Sequence, residues 1–83
     1  MAEGRFMLLR KGGKAIHQLG DISRDTLDAE LIVVGEEDEE NYIGRFAEGF
    51  GFCHVKFAKQ DCRDITPEEL ELWKAGKGDT IKF

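Results

Sequence analysis

Every apolar run in this chain is short, and glycine soon interrupts it. Phe6-Met7-Leu8-Leu9 is followed by Gly12-Gly13, Leu31-Ile32-Val33-Val34 by Gly35, and Tyr42-Ile43 by Gly44. None of these runs approaches the roughly 20 residues needed to span a bilayer, and their spacing predicts short strands joined by turns. A chain of 83 residues buries only about 60% of its unfolded surface. One thin core is therefore expected, and residues 1–83 are read as a single domain with no internal repeat and no Pro-, Gly- or Ser-rich linker.

Arg5 to Lys11 reads as the first strand. Lys14 to Leu27 is ambiguous, either a long loop with a short strand around Ala15 to Leu19 or a helical turn begun by Asp21 or Ser23. Ala29 to Val34 ends in a β-branched run, which favours a strand, although Leu27, Leu31 and Val34 would also suit one helix face. Asn41 to Phe46 is the returning strand of a hairpin, with Tyr42, Gly44 and Phe46 on one face and Ile43 and Arg45 on the other. Phe52 to Phe57 and Cys62 to Ile65 extend a meander, joined by a tight connection over Ala58 to Asp61.

Thr66-Pro67-Glu68-Glu69 carries a capping Thr, Pro at the first helical position and Glu three residues after the cap, so each orphan amide of a helix start has a partner. Ile65 and Leu70 complete a hydrophobic staple, and Gly76 and Gly78 stop the helix. This predicts one short helix over about 67–74, followed by a last strand over Asp79 to Phe83 lying beside the first. The fold expected is mainly β: a small, partly open barrel of five to six strands, SH3-like, with an OB or cold-shock-like barrel or an α+β sandwich as alternatives.

The formal charge is −5, from twelve Lys plus Arg and seventeen Asp plus Glu. Glu36 to Glu40 is an unbroken acidic run, and the remainder of the chain is neutral. A solvated hairpin loop accounts for the run; it lacks the alternating acids and central Gly of a calcium loop. The first ten residues hold only a short apolar run, unlike a signal peptide. Two cysteines, Cys53 and Cys62, fit a reducing compartment, so a cytoplasmic protein without membrane contact is expected. Cys53 and His54, adjacent on a strand, point to opposite faces and cannot share an ion or form a nucleophile pair. Neither metal nor cofactor is expected. Glu68, Glu69 and Glu71 belong to the helix start. With no phosphate loop or catalytic triad in the sequence, an enzyme is not expected.

Gly49-Phe50-Gly51-Phe52 matches half of the octamer found in single-strand RNA binders. Tyr42-Ile43-Gly44, that segment, Ile65-Thr66-Pro67, Leu70, Trp73 and Gly78-Asp79-Thr80-Ile81 follow one another as in the cold-shock-type, OB-like domains of the transcription terminator Rho and of ribonuclease R, which residues 42–83 resemble. The resemblance implies base stacking on Phe50 and Phe52. Where the family has a second aromatic strand, this chain reads Cys62-Arg63-Asp64-Ile65.

On period two, Phe50, Phe52, His54 and Lys56 share a face that Lys56 should keep wet. The expected function is that of a protein-binding adaptor or accessory protein. Its face would comprise Phe50, Phe52, His54 and Tyr42, rimmed by Arg45, Lys56 and Arg63. Single-stranded RNA binding by the same residues is the alternative.

Overall fold

The computed structural model describes residues 4–22, 27–48 and 54–83. Among these residues there are seven strands: β1 (Arg5–Arg10), β2 (Ala15–His17), β3 (Gly20–Asp21), β4 (Ala29–Glu37), β5 (Asn41–Phe46), β6 (Val55–Ala58) and β7 (Cys62–Asp64). They form one sheet in the order β3-β2-β6-β5-β4-β1-β7, antiparallel at every pairing. Among the described residues it is not closed, and β3 and β7 are its edges. The strand count thus exceeds the five to six expected, because the ambiguous segment after Lys14 contributes a small hairpin, β2 and β3. The helical option for Leu31 and Val34 is not taken, since both lie in β4.

Alternation along β1 gives the sheet two apolar sides. Met7 and Leu9 point inward with Ala15, Ile32, Val34, Phe46, Val55 and Phe57; Phe46 and Phe57 meet edge to face at 5.2 Å between ring centroids. Leu8 points outward with Ala29, Leu31 and Ile81. Each fully buried side chain of this size contributes about 1.5–3 kcal/mol. The β4–β5 pairing shifts register between Val34 and Glu36. Gly44 sits opposite, and a Cβ there would run into the Val33 carbonyl oxygen, so only glycine lets the two backbones approach at this bulge.

The one α-helix among the described residues, α1 (Pro67–Lys74), starts as the sequence predicts: the Thr66 hydroxyl accepts from the Glu69 amide, and the Glu69 carboxylate accepts from the Thr66 amide. It ends in a Schellman turn, with Gly76 at φ +79°, the Gly76 amide on Trp73 O and the Lys77 amide on Leu72 O. Ile65, Leu70 and Trp73 pack on the outer cluster, so the helix covers the β1–β4 part of the outer face. This helix follows the last described strand instead of preceding one. Residues 79–83 do not form the expected strand; Gly78–Thr80 is a 3-10 turn, and Ile81, 2% exposed, drops into the outer cluster. The physical reason is that β1 already has β4 on one edge and β7 on the other.

Candidate functional site

α1 and Ile81 cover one part of the outer face, around Leu8, Ala29 and Leu31. On the other half, register brings two rows of side chains together. Phe6 on β1 is opposite Val33, and Val33 is opposite Arg45. Glu36 is opposite Ile43, Ile43 opposite Lys56, Lys56 opposite Ile16, and Ile16 opposite Asp21. Val33, Ile43 and Ile16 are half-buried, whereas Phe6, Arg45 and Lys56 are exposed. No described element covers this half.

His54 stands just before β6, exposed, with φ +59°, the one non-glycine residue in the left-handed region among those described. Such a backbone is uncommon outside glycine, although His is among the residues enriched there. The expected strand over Phe52 to Phe57 is thus seen only from Val55. From its position His54 borders two depressions. One, of about 360 Å³, is lined by Ile16, His17, Gln18, His54 and Lys56; the other, of about 210 Å³, includes Val33, Glu36, Ile43, Arg45 and His54. The His17 Nδ1 accepts from the Leu19 amide at 3.3 Å. Leu19, at the tip of the β2–β3 hairpin, is 79% exposed.

The residues expected to form one surface are distributed differently. Arg45, His54 and Lys56 do come together on the half of the outer face that no described element covers. Tyr42 does not: it packs against the inner core, with the Arg5 guanidinium 5.4 Å and the Lys59 ammonium 5.2 Å from its ring centre. Lys59 also bonds Glu37 at 2.6 Å. Arg63 lies at the far edge of the sheet, where Glu69 takes two of its hydrogen bonds, at 2.9 and 2.7 Å, and the main-chain oxygens of Asp64, Lys82 and Phe83 take the others. It tethers the C-terminal segment and is not part of a rim with Arg45 and Lys56. Phe50, Phe52 and Cys53 lie outside the described residues.

Elsewhere the charged groups serve the fold. Asp61, whose side chain is 5% exposed, accepts from the Arg10 side chain at 2.6 Å and the Lys14 amide at 2.9 Å. Burial pushes its carboxyl up, but these two donors outweigh burial and hold it below the usual carboxylate range. Cys62 donates its thiol to Ala58 O at 3.3 Å, and burial, with the Asp61 charge adding to it, pushes the thiol up to about 12. A thiol so protonated is no nucleophile. The acidic run ends β4 with Glu36 and Glu37 and then turns at Asp38, whose Oδ1 accepts from the Glu40 and Asn41 amides. This is a solvated hairpin loop, as expected. No group of three or more His, Cys, Asp or Glu side chains able to hold a metal ion occurs among the described residues, and none of their helices is long and apolar enough to cross a membrane.

Sequence reasoning missed Val33, Ile43 and Ile16 as members of the face. Their alternation was readable, but which strands lie side by side is a matter of long-range pairing. No protein-family model, curated protein or solved structure matches the chain.

Proposed function

We propose that this chain is a non-enzymatic protein-binding module, an adaptor or accessory protein that docks partners on the half of its outer sheet face that no described element covers. The observation that carries the reading is the interleaving there of half-buried aliphatic residues, Val33, Ile43 and Ile16, with Arg45 and Lys56, neither of which makes an ion pair with a described residue. Arg5, Arg10, Lys59, Arg63 and Lys82, by contrast, are engaged in ion pairs, Arg10 with Asp61 and Arg63 with Glu69 among them. An apolar surface studded with cations that make no direct ion pair among the described residues has the composition of a protein interface.

We read the framework as SH3-like. What supports this is the element order: a first strand, a long loop containing a small hairpin, a three-strand meander, a 3-10 turn over Lys59–Asp61, and a short strand returning to the first. The resemblance of residues 42–83 to RNA-binding domains gives the alternative, but on this face the only Phe, Tyr or Trp ring among the described residues is Phe6, whereas the sheets of RNA binders stack bases on two or three such rings.

Affinity capture with the wild-type chain and with Val33→Glu/Ile43→Glu, Phe50→Ala/Phe52→Ala and Lys77→Glu variants tests the proposal. The first variant should lose partners that the Lys77→Glu control, altered away from the face, retains. Identical partner profiles for the wild type and the folded Val33→Glu/Ile43→Glu variant would remove the face from consideration.

A further inference from the structure

We infer that the partner presents an extended segment in which aliphatic residues alternate with a few carboxylates, and that this segment lies across β5, β6 and β2 with a carboxylate at Lys56 and His54. The inference rests on the protein-binding reading above and names the chemistry of its partner.

Three observations carry it. First, none of the described residues that line the larger depression is an acid, in a chain with seventeen of them, and the lining combines the Ile16 side chain with Lys56, two imidazoles and the Gln18 amide. An aliphatic floor beneath cationic and hydrogen-bonding groups is complementary to a side chain pair such as Leu beside Glu. Leu19, 79% exposed at the hairpin tip next to this depression, offers a second aliphatic contact.

Second, the positive band is bounded. In the row Glu36, Ile43, Lys56, Ile16, Asp21 an acid closes each end. Four strand spacings separate those acids, about 19 Å, room for about six extended residues. One or two carboxylates fit between them. A polyphosphate backbone crossing the same band would meet Glu36 or Asp21, and close by it the exposed acidic turn at Asp38 to Glu40. Unfavourable charges at the margins select against such a ligand as effectively as attraction selects for the right one.

Third, His54 is held in a left-handed backbone conformation at the junction of the two depressions. Its placement lets one imidazole border both the Arg45 and the Lys56 sides of the face.

The test is an NMR titration of the labelled full chain with three probes at low salt: a short capped peptide alternating Leu and Glu, the same peptide with Gln for every Glu, and oligouridylate. The Glu peptide should shift amides of Ile16 to Gln18, Ile43 to Arg45 and His54 to Lys56, about fivefold or more tighter than the Gln peptide. Salt should weaken it, and Lys56→Glu, at an exposed position, should weaken it about tenfold or more while the remaining spectrum stays intact. Equal affinity for the Gln peptide, or an unchanged affinity in Lys56→Glu, overturns the carboxylate inference and leaves the docking face standing. Binding of oligouridylate at this face in preference to either peptide overturns both readings. If no probe binds, the inference falls, and the capture experiment with Val33→Glu/Ile43→Glu independently decides the adaptor reading.

Discussion

Arg63 and Glu69 face each other with two parallel hydrogen bonds, Nη1 to Oε1 at 2.9 Å and Nη2 to Oε2 at 2.7 Å. The same carboxylate closes the capping box through the Thr66 amide, so a single side chain joins β7, the start of α1 and, through Arg63, the C-terminal segment. Glu69→Gln preserves the cap but removes the charge; Glu69→Ala removes both. The expected losses are about 1–2 kcal/mol for Gln, with about 1 kcal/mol more for Ala. Urea denaturation of the two variants measures the difference, and equal losses would show that the cap contributes nothing.

The pH dependence of this pair has a definite sign. The Arg63 hydrogen bond, helped by the Thr66 amide, lowers the Glu69 carboxyl to about 2 from an ordinary 4.5. A carboxyl whose pKa falls on folding adds stability above the unfolded value and loses it as pH drops through the folded one. Wild type should therefore lose stability between about pH 4.5 and 2, and Glu69→Gln should show a flatter profile across that window. Thermal melts at stepped pH check this; parallel profiles would count against the pairing.

Asp61 clasps the loop between β1 and β2 to the 3-10 turn before β7. Asp61→Ala leaves the Lys14 amide without its acceptor and Arg10 without its partner. A loss of about 2–3 kcal/mol is expected, with faster hydrogen exchange at the Lys14 amide as the local signature.

Gly44→Ala places a methyl group against the Val33 carbonyl. The strands must part at the bulge, at a cost of about 3 kcal/mol, and the melting temperature should fall accordingly. Gly35→Ala, across the same bulge, meets nothing within 4 Å and serves as the control.

Cys62 should be almost inert while the protein is folded. With its thiol pushed up to about 12 from 9.0 by burial, the thiolate fraction at pH 8 falls about a thousandfold. Iodoacetamide labelling read by peptide mapping should modify Cys62 in urea and spare it in buffer; rapid native labelling would contradict the burial described.

The helix was the most readable element because every signal for it is local: cap, proline, staple and glycine stop fall within fourteen residues, Ile65 to Gly78. Strand content was readable for a similar reason, since the alternation in Tyr42 to Phe46 and Val55 to Phe57 directly marks inner and outer faces. What local signals could not convey was neighbourhood. Asp79 to Phe83 alternates like a strand, yet β7 occupies the edge it would have used. Arg63 looked like Arg45 and Lys56 in sequence, but its charge is spent on Glu69 and three main-chain oxygens. Of the face, the cations were identified and the aliphatic residues between them were not, because Ile16 reaches Lys56 only through a pairing forty residues apart in the chain.

The position of β1 between β4 and β7, with apolar side chains on both faces, has a bearing on synthesis. Leu8 stays without its cover, and one edge of β1 stays open, until residues 62–81 have been made. A nascent chain arrested before Cys62 would expose a strand that is sticky on its outer face and along one side, the kind of surface that chaperones hold and aggregates recruit.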